Sequence, residues 1–376
     1  MTIITLPFRV RRPILACGAD LKGTFALVKG DKAFLVDGFG DLADPDNLAR
    51  YERSIAFNIK KLKIKPAIVA CDMHPGYSST RFAENLQLKT YNLKLFKIQH
   101  HEAHIASVIT EHSISGDVIG VAFDGTGFGL DGNIWGGEFF VGGLKKFTRA
   151  AHLEYVPMPG GEAAIREPWR MALSWLYRAL GEKSSSLKID LVRKLDKKRS
   201  AMLRKMMERG INSPLTSSMG RLLDAAASLV FVKMDAAKEA ELPTRFERIV
   251  SPLCRDKYKF DMKSERGILI VKASRTIAGV VRDLAKGVDE AIISAKFHNT
   301  IADIVLKVSI KLNKIHKIRK VVLSGGVFQN KFLITRAVEA LEGVGFDVYT
   351  NYRTSTGDPG IPIGQIAIAN VRARCV

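Results

Sequence analysis

The chain has 376 residues, 47% of them hydrophobic, with 58 Lys and Arg against 38 Asp and Glu, a formal net charge of +20. That length predicts two domains, or one domain with large insertions. The apolar content excludes a disordered chain, and no run of about 18 uncharged apolar residues is present to span a bilayer.

Residues 1–20 contain no apolar stretch followed by a small-residue cleavage site, so no secretory signal is expected and the chain reads as a cytoplasmic α/β protein. Residues 1–13 read as the tail of a linker. Ile14-Leu15-Ala16 and Thr24 to Val28 are β-rich, and Gly30-Asp31 forms a hairpin turn before Ala33 to Val36. Pro66 to Cys71 and Leu93 to Gln99 have the pattern of buried strands. His100 to Thr110 is helical in pattern, with Ile105, Val108 and Ile109 on one face. The opening theme then returns. Val118 to Phe123 is a strand, Asp124 to Gly129 a Gly-rich turn, and Ile134 to Val141 a returning strand. Two such turns, one per half, can face each other across a cleft and bring backbone N–H groups close to an anion; two ordinary hairpins would give the same pattern. Residues 165–255 are mostly helical, with Pro214 and Pro243 among the breaks, and 274–314 continue helical. Lys320 to Leu323 is a strand that leads through Ser324-Gly325-Gly326 into a helix from Gln329, which sets a helix start beside a close backbone approach. From Gly364 the chain is a helix of small residues.

The positive charge is concentrated in two runs. One holds Arg193, Lys194, Lys197, Lys198, Arg199, Arg204, Lys205 and Arg209; the other holds Lys307, Lys311, Lys314, Lys317, Arg319 and Lys320. Both alternate with apolar residues at helical spacing, so each reads as the solvated face of an amphipathic helix or as a surface for a polyanion.

Chemistry concentrates at Gln99-His100-His101-Glu102-Ala103-His104. On a helix, His100 and His104 stand at i and i+4 on one face and can share one metal, while His101 and Glu102 point elsewhere. Imidazoles suit iron, zinc or manganese, and carboxylates complete a harder site. Asp124 opens a Gly turn at a strand end, and Asp358 sits in the polar loop Thr356-Gly357-Asp358-Pro359-Gly360 before a helix. Phe123 to Gly129 leads into a strand rather than a helix, so it is no dinucleotide fingerprint. Ser174 and Ser324 lie outside any nucleophile-elbow sequence. Cys17, Cys71, Cys254 and Cys375 form no CxxC pair and have no base close in sequence, which argues against a zinc knuckle, a disulfide framework and a thiol nucleophile.

Over nearly its whole length the chain resembles the C-terminal carbamoyltransferase domain of the HypF hydrogenase-maturation family. The resemblance rests on Gly18 to Phe25, Cys71-Asp72-Met73-His74-Pro75, Gln99 to Ile105, Phe123 to Gly127, Ile134 to Phe139, Pro159-Gly160-Gly161, Arg166 to Ala172, Thr216 to Arg221, Phe297-His298 and Leu323 to Asn330, all in order. It implies a sugar-kinase/actin-like fold, with two RNase-H-like lobes around a nucleotide cleft. The lobes would span 1–115, with the metal-binding helix, and 116–376, with a helical insertion about 165–255. It implies a divalent metal, iron or zinc, on His100, His104, Asp124 and Asp358. The family reaction passes a carbamoyl group from carbamoyladenylate to the C-terminal Cys of a HypE-type protein. On that reading Lys22 is the catalytic cation that neutralises phosphate or carbonyl charge. Gly125, Thr126 and Gly127, with Gly325, Gly326 and Asn330, line the nucleotide. The family's adenylate-forming YrdC-like domain and CxxC modules are absent, so a separate protein would supply the adenylate. Met234-Asp235-Ala236-Ala237-Lys238-Glu239 replaces the family's Tyr-Glu-Gly-Gln/Glu-Ala-Ala, and Pro359 replaces a usual Gly. Related threonylcarbamoyl or O-carbamoyl transferases, and a non-catalytic nucleotide- or RNA-binding relative, are the alternatives; the basic charge leaves nucleic acid open as a partner without requiring it.

Overall fold

The computed structural model describes residues 1–374; Cys375 lies outside the described residues. Strands fall into two sheets. The first contains β1 (Thr2–Thr5), β2 (Ile14–Ala16), β3 (Phe25–Lys29), β4 (Lys32–Val36), β5 (Ile68–Asp72) and β6 (Lys94–Ile98), in the order β1-β4-β3-β2-β5-β6. The second is built on β7 (Val118–Phe128), β8 (Ile134–Gly143) and β9 (Lys146–Leu153), with the short pair β10 (Val156–Pro157) and β11 (Leu215–Thr216) attached to β8. It continues with β12 (Asp261–Glu265), β13 (Ile268–Lys272), β14 (Lys320–Ser324) and β15 (Asp347–Thr350), in the order β12-β13-β9-β8-β7-β14-β15.

Both sheets share one plan. An antiparallel three-strand meander (β2-β3-β4; β7-β8-β9) is followed by two strands added parallel beside its first member (β5, β6; β14, β15). The repeat visible in sequence is therefore a repeat of topology, that of an RNase-H-like unit. Parallel neighbours need long crossovers. In the first sheet these are the helices Pro45–Leu62 and Ser78–Lys89. In the second, the crossover from β9 to β14 holds the helices between Ala163 and His316, and Lys331–Glu342 joins β14 to β15.

The last helix of each unit lies against the other unit's sheet. His100–Glu111, which follows β6, packs on β7 and β14; Ile361–Arg372, which follows β15, packs on β2 and β5. The two helices also pack on each other. A Cβ on Gly364 would stand 1.8 Å from the carbonyl oxygen of Ala103, so only glycine allows the crossing. Around it a core forms from both sheets: Ile14, Ala16, Ile68 and Ala70 from one, Val118, Ala122 and Val322 from the other, and Ile105, Ile363 and Ile366 from the helices. A second core, with Trp169 and Trp175, joins the far face of the second sheet to the helical crossover.

Four local expectations change. Residues 2–5 are an edge strand: β1 pairs with β4, Ile4 faces the core and Ile3 is 57% exposed, the alternation of a half-buried strand. Asp124 does not open a turn. β7 runs on to Phe128 with a register shift against β8 between Phe123 and Gly127, and the turn comes at Gly129 to Asn133. Pro243 does not break a helix; it lies in the first turn of Glu241–Arg248, where its missing N–H has no intrahelical partner to lose. After Gly325 the chain makes a single 3₁₀ turn, Gly326–Gln329, and the helix proper starts at Lys331. No described helix is long and apolar enough to cross a membrane.

Gly364→Ala should cost about 1–3 kcal/mol, because the added methyl must push two packed helices apart; a fall in the urea midpoint at unchanged slope would show it.

Candidate functional site

The helix crossing sets the site. Gln99 caps the His100 helix: its Oε1 accepts from the Glu102 N–H at 2.9 Å, while its Nε2 donates to the Phe128 carbonyl at 3.0 Å and lies 3.1 Å from His101 Nδ1. One side chain thus fixes the helix start to the end of β7. His100 and His104 then turn their Nε2 atoms toward the bulge in β7. There Asp124 Oδ2 lies 3.3 Å from His100 Nε2 and 3.0 Å from His104 Nε2. The other oxygen, Oδ1, accepts from the Gly125 and Gly326 N–H groups at 2.8 and 3.2 Å. A bulge re-aims one side chain without ending a strand, which is what this position requires. Asp358 arrives from the opposite side, on the 3₁₀ turn Asp358–Gly360 before the Ile361 helix, with Oδ1 3.8 and 3.7 Å from the two imidazoles.

One potential ligand atom from each of His100, His104, Asp124 and Asp358 lies within 4.8 Å of the others. Ligands about 2.1 Å from a shared ion stand roughly 3.0–3.4 Å apart, so the set fits one divalent cation with small side-chain shifts. Two imidazoles and two carboxylates suit iron, zinc or manganese. Asp72, at the end of β5, holds His100 Nδ1 at 2.7 Å, so Nδ1 keeps its proton and Nε2 is the nitrogen that would ligate once a cation displaces the proton it shares with Asp124. His104 Nδ1 is buried without a hydrogen-bond partner. Burial alone would lower the pKa of His100, but the charge of Asp72, hydrogen bonds to Asp124 and Asp72, and the charge of Asp358 hold it well above the usual range. Burial would raise Asp124, yet its bonds from His100 and His104 hold it well below. Burial pushes Asp358 up, with Asp124 adding to the rise against the two histidines.

Asp124 and Asp358 border a cleft of about 500 Å³ lined by both units, and His100 and His104 are buried behind them. Lys22 reaches it from the turn between β2 and β3, and Gly125, Thr126, Gly326 and Asn330 line it as well. Gly127 and Gly325 are not among its lining residues and act behind it. A Cβ on Gly127 would meet the His101 ring at 2.4 Å, and Gly325, at φ +101°, lies so close to the Phe123 carbonyl that a Cβ would stand 2.3 Å away. Asn330 borders the cleft with its amide already engaged. Its Oδ1 caps the Lys331 helix at Leu333 N–H, 2.8 Å, and its Nδ2 donates to His298 Nε2 at 2.9 Å. Sequence reasoning gave no role to Asp72, Arg221, Asp224 or Glu239. Asp72 had a signal in its strand-end place before Met73-His74-Pro75; Arg221 closes the Thr216 to Arg221 segment; Glu239 ends the Met234 to Glu239 segment that departs from the family pattern; Asp224 had none.

Two units of one strand order, with exchanged last helices and a cleft of nucleotide size, define an α/β protein of the actin and sugar-kinase class. The description "HypF Kae1-like domain" matches residues 9–111, and "Carbamoyltransferase, Kae1-like Domain, second subdomain" matches 120–365. The carbamoyltransferase HypF of Synechocystis sp. is 31% identical over 99% of this chain and 49% of its own length. A carbamoyltransferase HypF homolog of Cupriavidus necator is 30% identical over 95% of this chain and 91% of its own. Among solved structures, full-length HypF in a phosphate- and nucleotide-bound form superimposes with a TM-score of 0.93 at 37% identity, covering 98% of this chain and 57% of that one. HypF of T. kodakarensis gives 0.88 at 26% identity, covering 99% of this chain and 49% of that one. The chain belongs to the HypF carbamoyltransferase family. It spans about half the length of most of the curated relatives it matches.

His298 gives a pH test beside the cleft. Burial lowers its pKa to about 4, and its Nδ1–H donates to the Ser294 carbonyl at 2.8 Å, so it folds as the neutral ring. The unfolded state takes up the proton first. The contribution of this group is therefore full above about pH 6.5 and is lost as pH falls toward 4, by up to about 3 kcal/mol. Urea midpoints measured across that window should fall with acid, and less steeply in His298→Gln.

Proposed function

We propose that the chain is a carbamoyltransferase of nickel–iron hydrogenase maturation that moves the carbamoyl group of carbamoyladenylate to the C-terminal Cys of a HypE-type protein. The observation that carries this reading is the meeting of two buried imidazoles with two carboxylates that line a 500 Å³ cleft also lined by Lys22 and Arg221. On this reading the lobes are 1–115 and 116–376, with the helical insertion about 165–255, and the protein works in the cytoplasm.

In the reaction the acceptor thiolate attacks the carbamoyl carbon. A C–S bond forms, the C–O bond to phosphate breaks, and AMP leaves with the electron pair. His100, His104, Asp124 and Asp358 would hold a divalent ion, which when bound supplies Lewis-acid polarisation of the anhydride. Asp72 orients His100, and the Gly326 N–H fixes Asp124. Lys22 faces these groups across the cleft and offsets phosphate charge, which grows as AMP departs. The nucleophile comes with the acceptor, consistent with the burial of Cys17 and Cys71 in the first unit, where burial also raises both thiol pKa values. Much of the rate then comes from holding two reactants in line. A YrdC-like activity would supply the carbamoyladenylate.

The test supplies carbamoyladenylate and a HypE-type acceptor to metal-loaded protein and looks by mass spectrometry for carbamoyl on the acceptor's terminal cysteine. An unmodified acceptor would defeat the reading. Asp358→Ala should lose bound metal and transfer together; normal metal content in that variant would remove Asp358 from the ligand set. Asp72→Asn should retain the fold and weaken cation affinity about 10- to 100-fold, read by competition with a chelating dye.

A further inference from the structure

Arg221 is a buried cation with unmet donors at the edge of the cleft. It sits in the first turn of the helix Met219–Phe231 and its side chain is only 3% exposed. Nη1 approaches Asp224 Oδ2 to 2.8 Å, yet among the described residues neither Nη1 nor Nε has an aligned hydrogen-bond partner. Buried guanidinium donors left unmatched are costly unless a further acceptor arrives. Two contacts place them beside the reacting region. Ser218, the N-cap of this helix, turns its hydroxyl to the Asp124 and Gly125 carbonyls, each at 2.6 Å. A Cβ on Gly220 would stand 2.8 Å from Gly125 Cα, so the helix start is pressed flush against the bulge that carries Asp124. The helix N-terminus adds N–H groups and positive potential at the same place.

A carboxylate already occupies the position an anion would take. Glu239 lies 3.9 Å from Arg221 Nη2, and the Cβ position of Gly125 is 3.1 Å from both Arg221 Nη2 and Glu239 Oε1. Arg221 and Lys22 attract this carboxylate, while Asp124 and Asp358 repel it. Its side chain is 38% exposed and comes from the connection before the helix Glu241–Arg248, so it can swing away without opening the core.

Resting on the reading that the cleft takes an adenylate, we propose that Arg221 is the seat of the nucleotide's phosphate and that Glu239 is a built-in competitor that must leave before the phosphate binds. The guanidinium then offers its Nη2 and unmatched donors to the non-bridging oxygens beside Gly125. Glu239 keeps the cation partnered while the cleft is empty and makes weak anions poor occupants.

Calorimetry of the full chain with AMP, and with adenosine as the uncharged control, tests this. Glu239→Gln should tighten AMP about fivefold, the equivalent of removing roughly 1 kcal/mol of like-charge repulsion, and leave adenosine unchanged. Arg221→Gln should weaken AMP by about tenfold or more, again sparing adenosine, and Arg221→Lys should recover part of the loss. Unchanged AMP affinity in a folded Arg221→Gln, or weaker binding of both AMP and adenosine in Glu239→Gln, would overturn the proposal; the latter would make Glu239 a ligand for the ribose hydroxyls. Arg221→Gln strips Asp224 of its buried cation, so if it does not fold, the Glu239→Gln result decides alone. An acceptor left unmodified while the AMP pattern holds would count against carbamoyl transfer and leave the phosphate seat standing.

Discussion

The site depends on how closely two buried helices cross. His100–Glu111 carries both imidazoles in its first two turns, and Ile361–Arg372 begins directly after Asp358. Neither helix belongs to the sheet that precedes it in the chain; each is packed into the other unit. The contact of Gly364 on the Ala103 carbonyl therefore sets the distance between candidate ligands that are more than 250 residues apart in sequence. Further bonds fix the same geometry. The Gly18 N–H donates to Gln365 Oε1 at 2.8 Å, and Gln365 Nε2 returns a bond to the Gly18 carbonyl at 3.1 Å, tying the second helix to the turn that carries Lys22. At the far end Arg372 pairs with Glu102 at 2.6 Å, locking the two helices to each other. A site assembled from exchanged helices needs both units in place, so it cannot form on either alone.

The same exchange explains how so many ionisable groups stay buried together. His100, His104, Asp72, Asp124 and Asp358 lie within a few ångströms of one another and are almost wholly removed from water. Isolated charges in that setting would be neutralised or expelled. Here the oxygens of Asp72 and Asp124 are divided between backbone N–H groups and imidazoles, while Asp358 faces the two imidazoles at 3.8 and 3.7 Å. His104 is the exception: its Nδ1 has no acceptor comparable to the one Asp72 gives His100. The two imidazoles are thus unequal, one held by a carboxylate and the other by packing alone.

The sequence made the strand pattern legible because it is local: alternation marked the meanders. Helical i,i+4 spacing singled out His100 and His104 as candidates, and Gly-containing polar segments singled out Asp124 and Asp358, whereas their grouping as one metal set came from the family resemblance. What it left unread is carried by register and by distant contacts. The bulge that aims Asp124 exists only as a mismatch between β7 and β8, and no single strand displays it. The edge strand at residues 2–5 buries one of its four side chains, too faint a signal to separate from a linker. Asn330 reads as a polar group beside a glycine turn, ready for a ligand; its amide is engaged by His298, which lies 32 residues earlier. Gly127 and Gly325 were legible as glycines needed for close approach, but whether ligand or protein makes that approach is decided in three dimensions, and the protein makes it.

The charge of +20 acts differently in the structure than in the sequence. No member of either basic run lines the cleft, whose cations are Lys22, Arg221 and Lys238. The first run lies on the helices Asp190–Lys194 and Lys197–Arg209, where Arg193, Arg199 and Arg204 pair with Asp190, Glu167 and Glu182. In the second, Lys307 pairs with Asp303 one turn away and lies over the Phe260 ring. Exposed charges are screened within about 8 Å at physiological salt, so such runs contribute little to the potential inside a remote cleft. Three cations against Asp124, Asp358, Glu239 and Glu247 leave the lining of the cleft slightly negative by formal charge. An anion therefore gains little from the net charge of the molecule; its affinity depends on displacing one carboxylate and on meeting the donors already held in place.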